Sequence, residues 1–362
     1  ENPPELDLPV RPLSEASGTY DAAIATWWAT ALALWRVPAQ RRVLFMQSLE
    51  QRFYPDWSTF DRLGAAAVLG LPLDFVVIAR WMEELLAELR PGARCEVVRN
   101  GVDKRIFRPA DRATDDGPLR VLVEGHPGLW FKGVREAVEA VRAMTEQATV
   151  TLVASDPAAA GELGADRVVG GLDAPGMATV YAEHDLLLKL SRVEGLPLPP
   201  LEAMHVGLPA LVTPHTGHEE YMSHGQNGLV VGFDDTAAVT AWLDRLARER
   251  ELLEKLRQGA LARAKSWPSA ERAGDEFVAA IRDICAAPPP DPADAAARLA
   301  ADLELGLALG RHRALLAGWS DADVAALRAQ IDQLGARLER ITGSRLYRVA
   351  SAARRLARRV RG

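Results

Sequence analysis

Two carboxylates eight residues apart, Glu194 and Glu202, stand in the stretch SRVEGLPLPPLEAM at 191–204. An apolar run, DLLLKL at 185–190, leads into them, and a helix is expected to start near Pro199 or Pro200. In an open α/β sheet, ligands bind beyond the carboxyl ends of the strands. A Glu on the strand-to-helix loop and another about one turn into the helix then face one small polar ligand. Carboxylates accept strong hydrogen bonds from hydroxyl groups, and a helix N-terminus favours phosphate. The pair therefore suits a molecule carrying both hydroxyls and phosphate, as a nucleotide-sugar does. Spacing alone carries little weight, since pairs of Glu at this distance are common and Glu202 also reads as a helix-surface carboxylate.

Lys132, in GHPGLWFKG at 125–133, follows a strand and is expected to open a helix. From there its ammonium can reach a diphosphate; a solvated helix-start lysine is the other reading. QSLEQRFYP at 47–55 stands at the carboxyl end of an earlier strand. Its mixture of acid, amide and aromatic groups suits sugar recognition, with Gln47, Glu50 and Tyr54 as candidates. Simple packing of Phe53, Tyr54 and Trp57 explains the same residues equally well.

The elements that must position these groups follow from periodicity and turn chemistry. In the first hundred residues, strands are expected at 20–26, 42–47, 74–79 and 95–99, with helices at 27–35, 60–70 and 81–89. Four short strands make a thin sheet. A complete doubly wound domain begins with a strand and a Gly-rich turn, and neither precedes residue 20, so this first domain reads as N-terminally incomplete. NGVDKRIFRP at 100–109 is a turn and connector. A cleaner alternation follows, with strands at 119–124, 150–154, 167–170, 185–190, 210–213 and 229–231. Helices are expected at 134–145, 175–183, 201–206, 236–248 and 251–266, and one at 269–284 closes the unit. This is the pattern of a mostly parallel sheet covered on both faces. APPPDP at 287–292 marks a linker. Beyond it, apolar residues at 3–4 spacing over 324–341 read as a short coiled coil suited to self-association, and 344–362 reads as a basic helix.

The chain has 362 residues, 48% hydrophobic and 25% charged, with a net charge of −6. These are ordinary values for a globular protein, and nothing global points to nucleic acid. The charge is uneven: 344–362 holds seven Arg and no acid. With Leu346, Val349, Ala353, Leu356 and Val360 on one face, that helix suits an anionic membrane surface. A solvated terminal helix is the alternative, and the absence of an aromatic platform argues against nucleic acid. Two cysteines make no disulfide framework, and a reducing cytosol is the simplest compartment. No His spacing suggests a metal site.

The order EGLPLPPLEAM, GLPALVT, TGHEEY, NGLVV resembles the C-terminal domain of retaining glycosyltransferases of family 4, which are two-domain GT-B enzymes. NGVD with Phe107 and Pro109 resembles that family's connector. The first-domain stretches ATWWATA (25–31) and QSLEQRFYP resemble rhamnosyltransferase-like members that build bacterial surface polysaccharides. The resemblance implies a GT-B fold with 1–105 as a partial acceptor-side domain, 106–286 as the donor domain and 287–362 as a helical appendage. It implies a nucleotide-diphosphate sugar donor, a glycan or lipid-linked acceptor, retention of anomeric configuration, and no metal. Glu194 would lie at the donor sugar and Glu202 would hold the ribose hydroxyls. Lys132 would clamp the diphosphate, helped by the backbone at Gly195 and Leu196. Thr216, Gly217 and Glu220 resemble a later Gly-rich loop that approaches the sugar. Gln47, Glu50 and Tyr54 would lie on the acceptor side. Two departures stand out. The family's usual clamp Arg falls at His126 with the spacing off by one, and a neutral His is a poorer clamp. Pro197 stands where many members have Gly, which removes one N–H donor. A cytoplasmic protein, peripheral on the inner membrane face, would fit. A sugar-nucleotide epimerase and a non-catalytic assembly partner on the same fold are the rival readings.

Overall fold

The computed structural model describes residues 10–110, 117–160 and 163–288. The expected coiled coil at 324–341 and basic helix at 344–362 lie outside the described residues, as does the linker beyond Pro288. The first sheet is four parallel strands in sequence order: β1 (Tyr20–Ala25), β2 (Ala39–Met46), β3 (Asp74–Val77) and β4 (Cys95–Val97). Its connections carry α1 (Trp28–Ala31), α2 (Thr59–Ala67) and α3 (Arg80–Leu89). Every residue of β3 is buried, as befits a parallel strand covered on both faces. Asp74 is its one charge, and Arg41 neutralises it at 3.2 Å.

The second sheet has six parallel strands: β5 (Leu119–Glu124), β6 (Ala148–Val153), β7 (Arg167–Val169), β8 (Leu186–Lys189), β9 (Ala210–Val212) and β10 (Gly228–Val230). Their order is β10-β9-β8-β5-β6-β7. The connections carry α4 (Val134–Arg142), α5 (Pro157–Ala160), α6 (Ala174–Glu183) and α7 (Leu198–Val206), and α8 (Thr236–Arg248) and α9 (Arg250–Ser266) follow β10. Asp173 caps α6 by accepting from the Gly176 N–H at 2.8 Å, which satisfies one of the orphan donors of a helix start. Gly207, at φ +87°, ends α7 in the left-handed conformation that favours glycine. Strand order departs from chain order at β5, which pairs with β6 on one side and β8 on the other. That is a topological switch point, where the loops leaving β5 and β8 diverge and open a crevice.

Most expected elements appear with ends shifted by one to three residues. Three differ more. The helix expected at 27–35 is a single turn, α1, then a 3-10 turn at Leu34–Arg36; Trp27 is extended, and Pro38 ends the segment two residues later. Lys132 does not open a helix: it closes a 3-10 turn, Trp130–Lys132, and α4 begins only after Gly133 at φ +62°. The largest correction concerns α10 (Ala270–Ala286), expected to close the second unit. It crosses back and buries Ala280 and Ile284 against Val43, Val76 and Val98 of the first sheet. The chain thus passes between the domains twice, and the two passages lie side by side. Val102 bridges Ser269, and the Ala270 N–H donates to the Val102 carbonyl at 3.0 Å.

Candidate functional site

The switch point places Glu124 at the end of β5 and Lys189 at the end of β8. Lys189 Nζ lies 2.6 Å from Glu124 Oε2 and 3.7 Å from Glu194 Oε1. Lys132 Nζ lies 2.8 Å from the same Glu194 oxygen. The result is an alternating row, Glu124–Lys189–Glu194–Lys132. The Lys189 side chain is 1% exposed, and a buried charge survives only when paired. Burial pushes its pKa down, but Glu124 and Glu194 outweigh that and hold the ammonium charged. Burial pushes Glu194 up, and Lys189, Lys132 and His215 more than reverse it, so Glu194 stays a carboxylate. Sequence reasoning missed Lys189 and Glu124. For Lys189 the signal was present, a charge at the end of an otherwise apolar buried strand; for Glu124 it was weaker, since Arg120 also stands in its strand.

Glu202 sits on α7, where the Tyr181 hydroxyl donates to its Oε2 at 3.1 Å. Burial pushes its pKa up to about 6; Glu124 adds to the rise, while Tyr181 and Lys189 oppose it. The first turn of α7 is poor in donors. Pro199 and Pro200 follow Leu198 directly, and proline has no N–H. With Pro197 before them, Leu198 and Leu201 carry the only N–H groups between 197 and 201. The helix N-terminus that would hold phosphate is therefore weak, and positive charge at this site comes from lysine side chains.

Glu194, Lys132, Lys189, Glu124, Gly195 and Leu196 line a cleft of about 360 Å³ between the domains. Gln47, Ser48, Glu50, Thr26, Trp27 and Phe53 form its opposite wall. Glu50 Oε2 accepts from the Trp28 N–H at 2.6 Å, and burial pushes its pKa up to about 7 against the effect of that bond. The walls touch at Gly195, where a Cβ would overlap the Gln47 carbonyl oxygen; only glycine permits the approach.

The other sequence candidates do not line this cleft. His126 Nδ1 accepts from the Gly128 N–H at 3.0 Å, so it stabilises its own turn. The Tyr54 hydroxyl accepts from Trp28 Nε1 at 2.9 Å and serves packing. Thr216 Oγ1 donates to the Glu194 carbonyl at 2.8 Å and accepts from Arg52 of the first domain at 3.1 Å. Gly217, at φ +87°, lies against the Gly195 carbonyl, which also accepts from Trp81 Nε1 at 3.0 Å. Glu220 accepts from Arg99 Nε at 2.7 Å and from the Arg80 N–H. These three residues fasten the domains together behind the Gly195 peptide. They were visible in sequence as a Gly-rich polar loop, but their first-domain partners Arg52, Trp81, Arg80 and Arg99 lie more than a hundred positions away. Among the described residues, no group of three or more His, Cys, Asp or Glu side chains could hold a metal ion.

Residues 158–263 match the family model described as "Glycosyl transferases group 1". The chain is similar to the amylovoran biosynthesis glycosyltransferase AmsK of Erwinia amylovora, with 28% identity over 52% of this chain and 50% of AmsK. It is similar at 28% identity to the lipopolysaccharide core biosynthesis mannosyltransferase LpcC of Rhizobium leguminosarum bv. viciae, over 59% of this chain and 70% of LpcC. It therefore spans about half the length of the first of these relatives and more of the second. Among solved structures, Anabaena Alr3699/HepE in complex with UDP-glucose superposes with a TM-score of 0.60 at 16% identity, over 73% of this chain and 79% of that one. Two parallel-stranded domains facing each other across a cleft, and these likenesses, make this a GT-B fold whose second domain contains a segment that matches the group 1 glycosyl transferase model.

Proposed function

We propose that the chain is a retaining glycosyltransferase of the family 4 kind, moving a sugar from a nucleotide-diphosphate donor to a glycan or lipid-linked acceptor in surface-polysaccharide synthesis. The observation that carries this reading is the convergence of Lys132 and Lys189 on Glu194 at the switch point, on the floor of the interdomain cleft. As the sugar–diphosphate bond breaks, its electron pair leaves with the diphosphate; the acceptor hydroxyl oxygen forms the new bond to the anomeric carbon on the same face, and its proton passes to the departing diphosphate. Lys132, 23% exposed, swings from Glu194 to the accumulating charge, and Lys189 supports it from below. Glu194, held as a carboxylate, orients the sugar hydroxyls. Glu202 accepts from the ribose diol, each such charge-assisted bond contributing about 1.5–3 kcal/mol. The acceptor enters against Gln47 and Glu50. The names of AmsK and LpcC support a saccharide product, and the UDP-glucose bound by HepE supports the donor class.

Calorimetric titration with UDP, GDP and dTDP tests the donor site. One nucleotide binds, and Glu202→Ala weakens it roughly tenfold or more; binding unchanged by the substitution removes Glu202 from the site. Binding by none favours a GT-B-fold assembly partner, a reading that the donor-poor first turn of α7 and the missing clamp Arg keep in play. Membrane contact through 344–362 and self-association through 324–341 belong to the same proposal. A chain ending at 288 should lose co-sedimentation with anionic vesicles and run at monomer mass; equal behaviour of both chains would discard the two roles.

A further inference from the structure

The Glu202 carboxyl on α7 is steadied from a neighbouring helix rather than from its own. Tyr181 of α6 is fully buried, and its hydroxyl donates to Glu202 Oε2 at 3.1 Å. Among the described residues it is the one hydrogen-bond donor to that carboxyl. The Tyr181 ring is itself fixed, packed against Phe107 with centroids 6.1 Å apart and planes tilted by 52°. Burial, with the Glu202 and Glu124 carboxyls, pushes the phenol well above its ordinary pKa, so it stays a donor through neutral pH. The other groups near Glu202 act on it through charge. Glu124, at the end of β5, repels a carboxylate there, and Lys189, at the end of β8, attracts it. His205, one turn further along α7, is engaged by the Leu201 carbonyl at 2.7 Å, and Arg257 of α9 meets α7 at Gly207, its far end.

We propose that Tyr181 is a positioning residue of the donor site: its hydroxyl fixes the plane of the Glu202 carboxyl so that the remaining acceptor positions meet the ribose diol. The assignment rests on the transferase reading above and deepens it, since Tyr181 lies out of a ligand's reach and acts only through Glu202. A Glu side chain has several rotamers, and holding one of them for a ligand costs free energy at the moment of binding. A hydroxyl on a fully packed ring removes that freedom before the ligand arrives. It occupies one acceptor position of a group that has about four, so a diol can still be met. A buried tyrosine needs a partner for its hydroxyl wherever it lies, but a backbone carbonyl serves that need, as for His184 and His205. Here the partner is a carboxyl that burial draws toward its neutral form, and the bond draws it back toward the charged form that accepts from hydroxyls. The bond therefore acts on Glu202 and not on Tyr181 alone.

A double-mutant cycle tests the assignment. UDP, 2′-deoxy-UDP, GDP and 2′-deoxy-GDP are titrated calorimetrically at pH 7.5 into the unaltered chain, Tyr181→Phe, Glu202→Gln and the double variant. Tyr181→Phe keeps the ring and removes the donor. The ratio of ribo- to deoxynucleotide affinity should fall roughly three- to tenfold in Tyr181→Phe. It should change by less than about twofold when Tyr181→Phe is added to Glu202→Gln. A merely structural tyrosine would weaken both nucleotides alike, in either background. The second measurement needs no nucleotide: carbon NMR of labelled glutamate carboxyls, with the Glu202 signal identified by its loss in Glu202→Gln. Its titration midpoint should rise by roughly half a pH unit or more in Tyr181→Phe. It should fall when 3-fluorotyrosine, the stronger donor, replaces all five tyrosines; that arm stands even where Tyr181→Phe does not fold. A midpoint indifferent to both changes, or a loss in Tyr181→Phe that persists in the Glu202→Gln background, overturns the assignment. Nucleotide binding with either of those results removes Tyr181 and leaves the donor site standing. Binding of none of the nucleotides to the unaltered chain removes the transferase reading, and the positioning role falls with it even where the midpoint responds.

Discussion

Glu202 titrates close to neutrality because burial and the nearby Glu124 raise its pKa to about 6. For a carboxyl, a raised folded pKa means that the native state holds the proton more tightly than the unfolded chain. The sign follows: this group's contribution to stability is full below the ordinary value of 4.5 and is lost as pH rises through about 6. Glu50 behaves alike, with the loss extending to about 7. Ribose recognition runs the opposite way, since the carboxylate accepts from both hydroxyls of a diol through charge-assisted bonds that the protonated acid lacks. The affinity ratio of UDP to 2′-deoxy-UDP should therefore rise from pH 5 to 7.5 by roughly tenfold. The ratio cancels titration of the phosphates, which both nucleotides share. Glu202→Gln should flatten the curve. A ratio that is flat in the unaltered chain would show that Glu202 does not meet the ribose.

At the scale of elements, α10 decides what the first domain is. The sequence assigns this helix by neighbourhood to the second unit, yet its buried face, Ala280 and Ile284 with Phe277 and Ile281, covers the first sheet. Ile284 is fully buried, and Ile284→Ala should cost about 2–5 kcal/mol. Val278 on the same helix is 48% exposed, and Val278→Ala should stay within about 0.5 kcal/mol. Urea unfolding followed by circular dichroism compares them, and equal effects would mean that α10 does not support the first sheet. The case shows what periodicity delivers and where it stops. The strands were readable because parallel strands buried on both faces are continuously apolar, and helices because their caps and spacing are local. An amphipathic face, however, does not say which sheet it will cover. Side-chain partners divide in the same way. Glu194, Lys132 and Glu202 stand next to the strands that position them, and their neighbourhood was legible. His126 and Tyr54 are engaged by a local turn and a neighbouring indole, partners that spacing alone did not reveal. Lys189 was passed over because its meaning depends on Glu124, a strand brought alongside only by the switch in order.

The whole molecule closes around one peptide. Gly195 meets the Gln47 carbonyl on the first domain, and its own carbonyl accepts from Trp81 and abuts Gly217. Around it, Arg99–Glu220, Arg52–Thr216 and Trp130–Phe53 also join the domains. Beside the Arg99–Glu220 pair, the two passages between the domains run together at Val102 and Ser269, and a Cβ at Gly101 would overlap the Ser269 carbonyl there. The groups assigned to the donor all belong to the second domain, whereas Gln47 and Glu50, assigned to the acceptor, belong to the first. Wedging the domains apart should therefore separate donor binding from transfer. Gly195→Ala does this, because the added methyl overlaps backbone that only rigid-body opening can move aside. Relative to the unaltered chain, it should raise the radius of gyration in X-ray scattering and leave far-UV circular dichroism unchanged. UDP affinity should stay within about threefold, a difference under ~1 kcal/mol, while transfer falls by a hundredfold or more, as misplacement of about 1 Å can produce. Gly274→Ala, at an α10 position with open space around it, is the control, and should gain about 0.5–1 kcal/mol of stability with unaltered scattering. If Gly195→Ala scatters like the unaltered chain and still transfers sugar, Gly195 is not the contact that holds the cleft closed. If UDP affinity collapses together with transfer, the nucleotide depends on the first domain as well, and the division of labour between the two walls is wrong.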